Sequence, residues 1–219
     1  MLCQELTYNS SMTIREMYLK YDIPPNLQRH MREVAQVTWF VADNWIGETL
    51  NLDLALNTAL LHDLGNLVKF KQPFLGELES RADHWLAFQS EMITKYGGDA
   101  KIATLAMVAE LGLAESVGRI LAEMDDLLVG NFAVSDEAKL VEFADLCVSP
   151  EGIVGFEQRK QDLIGRYGET HGLDWIEPAE QLLTEIQNKT GVDISGELGE
   201  ATSIYRSLVA EFSTKAITA

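Results

Sequence analysis

Cysteine is almost missing from this chain: 219 residues hold two, Cys3 and Cys147. Two thiols so far apart exclude the disulfide framework that staples small secreted domains, and they suit a reducing compartment. Long apolar runs are missing too. Asp, Asn, Gln or Lys interrupts every hydrophobic stretch within a few residues, so none approaches the roughly 18 needed to span a bilayer. The first twenty residues, "MLCQELTYNSSMTIREMYLK", lack the basic start and unbroken apolar core of a secretory leader. A cytoplasmic protein without a membrane partner is the expectation.

Positive charge is scarce. Seventeen Lys and Arg stand against thirty-four Asp and Glu, a formal charge of −17. Such a surface repels a polyanionic duplex, which argues against long nucleic acid as a partner. The imbalance is uneven: residues 1–75 hold six basic and eight acidic side chains, residues 76–219 eleven and twenty-six. A small anion meets least repulsion in the first third.

Proline occurs five times, and glycines fall mostly between apolar-periodic segments. That pattern predicts an all-α fold with no strand. Helices are expected near 10–20, 25–46, 51–63, 78–96, 99–111, 114–125, 136–148, 153–170, 174–190 and 198–215. Pro24 and Pro25 suit a first turn, and Asp99 and Ser135 suit caps. The length fits one domain over 1–219, with a core at about 20–150 and a helical extension at about 151–219. Apolar stripes in the extension would cover the core or pair with a second copy in a homodimer. The segment "GVDISGELGE" at 191–200 is the best candidate for a mobile connection.

What the chain does contain is an apolar helical stretch, "NLDLALNTALLHDLGNLVKF" at 51–70, that runs into His62 and Asp63 and then Gly65. Neighbours on a regular helix point about 100° apart, so both side chains face one ion most easily where the helix ends. Gly65 is expected to supply that break. His30 sits beside the buried stripe Leu27, Met31, Val34, Val37, Thr38 and Val41. Asp145 sits beside a second stripe in "LVEFADLCVSP", where a lone buried carboxylate would be costly. Two imidazoles and two carboxylates suit Mn²⁺, Fe²⁺, Co²⁺, Ni²⁺, Mg²⁺ or Zn²⁺. Four ligands leave an octahedral ion two positions, for water and a substrate oxygen.

The order of "LQRHMREVAQ", "ALLHDLGNLVKF" and "VEFADLCVSP" resembles the HD superfamily of metal-dependent phosphohydrolases. Its pattern is a helical His, a His-Asp doublet and a distant Asp. The resemblance covers roughly residues 20–150 and implies an HD-type helical bundle holding the ion between helices. It also implies a phosphomonoesterase or phosphodiesterase acting on a small phosphorylated substrate such as a nucleotide. His30, His62, Asp63 and Asp145 would hold one divalent metal ion, and a metal-bound water would attack phosphorus. Asp63 would also orient that water. Lys69, Arg29 and Arg32 are candidate phosphate contacts, and Arg81 is a further cation in reach. Asn66 stands where some relatives carry Lys, and acidic residues found shortly after the doublet in others are missing. Between the doublet and Asp145 only His84 is available as a further imidazole, which favours one ion over two. Two alternatives stay open: a non-catalytic HD-fold ligand sensor or interaction module, and an HD-type iron oxygenase. His84 and His171 read as surface or hydrogen-bonded residues, the four tryptophans as core anchors, and Cys147 as a small buried residue.

Overall fold

The computed structural model describes residues 12–47, 49–72, 76–171 and 173–217. Cys3, the first two residues of the helix expected at 10–20 and the side chain of His171 lie outside the described residues. The fold is all-α. In chain order the helices are α1 (Ile14–Lys20), α2 (Pro25–Asp43), α3 (Leu52–Leu61), α4 (Ala82–Tyr96), α5 (Ala100–Glu110), α6 (Arg119–Leu128), α7 (Asp136–Asp145), α8 (Phe156–His171), α9 (Ile176–Thr190), α10 (Gly199–Thr202) and α11 (Tyr205–Phe212). No helix among the described residues is long and apolar enough to cross a membrane.

Local chemistry explains most of the starts. Thr13 forms a reciprocal capping box with Glu16, which satisfies amides a helix start leaves unpaired. Pro25 opens α2, where its missing N–H costs nothing. Asn51, Asp99 and Ser135 accept from the amides of Leu54, Ile102 and Ala138 to cap α3, α5 and α7.

α2 is the central rod. It packs on α3 and α7 along one side and on α10 and α11 along another. Covered on two sides, it buries more than the predicted stripe: Ala35 and Gln36 join Leu27, Met31, Val34, Val37, Thr38 and Val41. The buried Thr38 hydroxyl donates back to the Val34 carbonyl at 2.9 Å, so its burial leaves no polar atom unmet. One apolar core runs through these contacts and gathers residues from Ile14 to Ile217.

The structure corrects several expected boundaries. α7 ends at Asp145, and Val148–Ser149 then pairs with Gly152–Ile153 as a two-stranded antiparallel hairpin, β1 and β2. Cys147 and Val148 are fully buried, so their apolar character reflects packing of this hairpin and not continuation of the helix. The helix expected at 114–125 is a π-turn at Ala114–Gly118 followed by α6, which places Asp125 and Asp126 inside a helix. The helix expected at 198–215 breaks at Ser203 and Ile204 into α10 and α11. The 191–200 connection is anchored: Ile194 and Leu198 are buried. A Cβ on Gly155 would collide with the Gly196 carbonyl, so the glycine at 155 lets this segment close onto the start of α8.

Candidate metal centre

α2, α3 and α7 pack mutually, and the side chains singled out by sequence meet where they converge. α3 stops at Leu61, which leaves His62 as its C-cap and Asp63 in the following turn. The freed carbonyls are all taken: Ala59 O by His62 Nδ1 at 2.8 Å, Leu60 O by the Tyr18 hydroxyl at 2.6 Å, and Leu61 O by the Leu64 amide at 3.3 Å. A 3-10 turn, Asn66–Lys69, follows.

Gly65 acts differently from expectation. Its φ is −85° and its ψ −3°, which any residue can adopt, so it does not break the helix by conformational freedom. A Cβ there would meet Thr104 N at 2.5 Å, Ala100 O at 2.6 Å and Ala103 Cβ at 2.7 Å. The glycine lets the doublet turn lie against the backbone of α5, and its amide donates to Thr104 Oγ1 at 2.9 Å.

His30, His62 and Asp145 each offer a ligand atom, and the three atoms lie within 4.8 Å of one another. This group can hold a metal ion. His30 Nε2 is 2.9 Å from Asp145 Oδ1, His62 Nε2 is 3.5 Å from the same oxygen, and the rings sit 5.3 Å apart. Asp63 stands beside the trio, its Oδ2 3.5 Å from His30 Nε2 and 3.7 Å from His62 Nε2.

Two observations test the fit of a cation. His62 Nε2 is buried without a hydrogen-bond partner, and Asp145 Oδ1, though 2.9 Å from His30 Nε2, makes no aligned hydrogen bond, an arrangement that costs free energy unless something else satisfies it. The contact of His62 Nδ1 with the Ala59 carbonyl also fixes the ring so that, once it is neutral, Nε2 presents its lone pair inward, as metal-bound histidines do.

Without the ion, the charges lean on each other. Burial alone would lower the His62 ring, but the Asp63 carboxylate and then Asp145 push it up to about 9. Asp145 is held well below the usual carboxylate range, since the two imidazoles outweigh the opposite effect of burial. Glu142, three residues before Asp145 and only 6 % exposed, is pushed up to about 8 by burial and by the Asp145 charge. Burial drives the Cys147 thiol upward as well, which leaves it inert at neutral pH.

Two pockets flank the trio and share Asp63, Asn66, Lys69 and Asp145. One, of about 280 Å³, adds His62, Lys101, Asp125 and Glu142; Lys101 pairs there with Asp125. The other, of about 330 Å³, adds His30, Arg29, Glu33, Arg159 and Arg166. Lys69 makes no ion pair among the described residues. Arg29 pairs with Glu77, Arg159 with Asp162 at 2.5 Å, and Arg166 with Asp162 at 2.5 Å.

Arg32 lines neither pocket: it donates to Gln28 Oε1 at 3.0 Å and lies over the Tyr18 ring. Arg81 lies over the Trp85 ring, 5.2 Å from its centre. His84 pairs with Asp22 at 2.7 Å, and Trp85 anchors a small apolar cluster with Leu67 and Leu78. Arg159, Arg166 and Glu142 were not singled out from sequence. Only Glu142 left a local signal, its spacing of three from Asp145 on one helix.

Comparisons with family models, curated proteins and solved structures give no significant match for this chain. Its function therefore has to be argued from the site.

Proposed function

We propose that this protein is a metal-dependent phosphohydrolase acting on a small phosphorylated metabolite, with a nucleotide as the leading substrate class. The observation that carries the reading is a partly buried His30, His62 and Asp145 trio whose ligand atoms converge and include a buried, unpartnered His62 Nε2, opening onto a pocket lined by Arg29, Lys69, Arg159 and Arg166. A mixed nitrogen and oxygen donor set suits Mn²⁺, Fe²⁺ or a related divalent ion. Such an ion supplies a Lewis acid that polarises a phosphoryl oxygen and acidifies a water.

The chain's own groups then have separable tasks. His30, His62 and Asp145 hold the ion, and the Ala59 carbonyl keeps the His62 ring oriented. Asp63, adjacent to both rings, accepts a proton from the attacking water and aligns it. Lys69, Arg159 and Arg166 meet the phosphoryl oxygens, where guanidinium forks give charge-assisted, two-point contacts. Asn66, buried and shared by both pockets, hydrogen-bonds at the boundary between phosphate and leaving group.

The test is phosphate release from a panel of nucleotides and phosphoesters, using metal-stripped protein resupplied with Mn²⁺, Fe²⁺, Co²⁺, Ni²⁺ or Mg²⁺. Asp63→Ala should abolish metal-dependent turnover and leave helical content unchanged. Nucleotide binding without turnover under every metal would overturn the hydrolase reading in favour of a ligand-binding module.

A further inference from the structure

The chain has a second cationic concavity along a neighbouring face of α2. A groove of about 810 Å³, larger than either pocket at the metal centre, runs between α1, α2 and α11. Its size falls within the usual range for small-molecule sites. Arg15, Arg29, Arg32 and Arg206 line it, against a single acid, Glu33. In a chain of net charge −17, four guanidinium groups around one groove are a local reversal of the field.

Two of the four are uncommitted. Arg15 and Arg206 make no ion pair among the described residues, whereas Arg29 pairs with Glu77 and Arg32 with the Gln28 amide oxygen. The groove also has a built polar wall. Gln36 lines it, is 4 % exposed, and directs its Nε2 to the Arg32 carbonyl at 3.4 Å. That contact sets the amide's orientation and leaves Oε1 buried without a partner. An unpaired buried acceptor is costly and is relieved by a donor on a bound molecule. The Tyr18 ring forms part of the same wall, under the Arg32 guanidinium.

We infer that this groove is a second binding site, for a phosphate-bearing small molecule, separate from the metal centre. The arginines recognise the phosphates by forked contacts, and the Gln36 amide oxygen takes an N–H or O–H of the same ligand. Arg29 and Glu33 line both this groove and the arginine-bearing pocket at the metal centre, so α2 is a shared wall between the two.

The experiment uses the full chain stripped of metal, titrated calorimetrically with tripolyphosphate and, separately, with ATP. Saturable binding with one equivalent is expected. An Arg15→Gln/Arg206→Gln variant should weaken it by at least about tenfold, while His62→Ala and the distant Arg119→Gln leave it unchanged. Both substituted arginines are exposed, so circular dichroism and melting temperature should match the parent. Tighter binding of ATP assigns the site to an organic phosphate and equal binding to a bare polyphosphate; both uphold it. No saturable binding, binding indifferent to the double substitution, or binding lost in His62→Ala would overturn it.

Discussion

Metal binding at this centre competes with a proton, and the competition can be weighed. The His62 ring is pushed up to about 9 by the Asp63 and Asp145 carboxylates, against the effect of its burial. At pH 7 a group with that value is neutral in only about one molecule in a hundred. An ion needs the neutral ring, so binding at pH 7 is weakened by roughly 100-fold, or about 2.7 kcal/mol. Apparent affinity for Mn²⁺ should therefore climb about tenfold per pH unit from about pH 7 to about pH 9 and then level off. Close to one proton should be released per ion bound at neutral pH. Calorimetric titration of metal-stripped protein in two buffers of different ionisation enthalpy measures both quantities. The stability of the stripped protein follows the same group with a definite sign. The folded value lies above the ordinary 6.5, so the stabilisation is complete below about pH 6.5 and is lost as pH rises through about 9. The metal-loaded protein has no such loss, and the ion's stabilising effect should grow across that window. Affinity flat from pH 7 to 9 with no proton release would refute the assignment of His62 as a ligand.

Gly65→Ala should destabilise the protein by about 3 kcal/mol, because the new Cβ meets the α5 backbone near 2.5 Å and backbone cannot yield as a side chain does; a denaturation midpoint unchanged from the parent would refute the close-approach account. Arg159→Gln should raise KM for a phosphorylated substrate by about tenfold or more while leaving metal affinity within about twofold, checked by steady-state kinetics and a metal titration. Glu142→Gln should stabilise metal-stripped protein increasingly from about pH 4.5 to about pH 8: with its carboxyl raised to about 8, the parent has full stability below the ordinary value and loses it as pH rises through 8. The gap should reach about 4 kcal/mol at pH 8, and parallel pH–stability curves would contradict the burial of that acid.

Parts of this architecture were legible because their causes are local. Pro25, Asp99 and Ser135 begin helices through their own φ or their own side-chain oxygen, so sequence suffices to place them. The end of α7 was not legible: Cys147 and Val148 continue an apolar pattern, yet they serve a hairpin whose partner strand lies beyond Pro150 and Glu151. The centre shows the same division. His30, His62, Asp63 and Asp145 announced themselves by residue type beside apolar stripes, and the structure brings His30, His62 and Asp145 within ligand distance and sets Asp63 beside them. Arg32 looked equally plausible because it is two residues from His30, but a two-residue step on a helix turns about 200°, which sends it to the other face. Arg159 and Arg166 were invisible for the opposite reason: they reach the pocket only through packing of α8 against the hairpin.

The backbone itself gives the centre its sign. His62 caps the C-terminus of α3, and Asp145 is the last residue of α7. Both helices therefore point the negative ends of their dipoles at the same spot, where two carboxylates already stand. A cation is favoured there and a lone phosphate is repelled. The arginines of the adjoining pocket come from other elements, α2 and α8, and lie to one side of the trio. This separation makes the order of binding a consequence of the fold: the ion enters first, and only its charge converts the centre into a place where a phosphoryl group is held. The stripped protein keeps two cationic surfaces for a phosphate probe, the arginine-bearing pocket beside the centre and the groove along α2 with Arg15 and Arg206, and the Arg15→Gln/Arg206→Gln variant tells them apart.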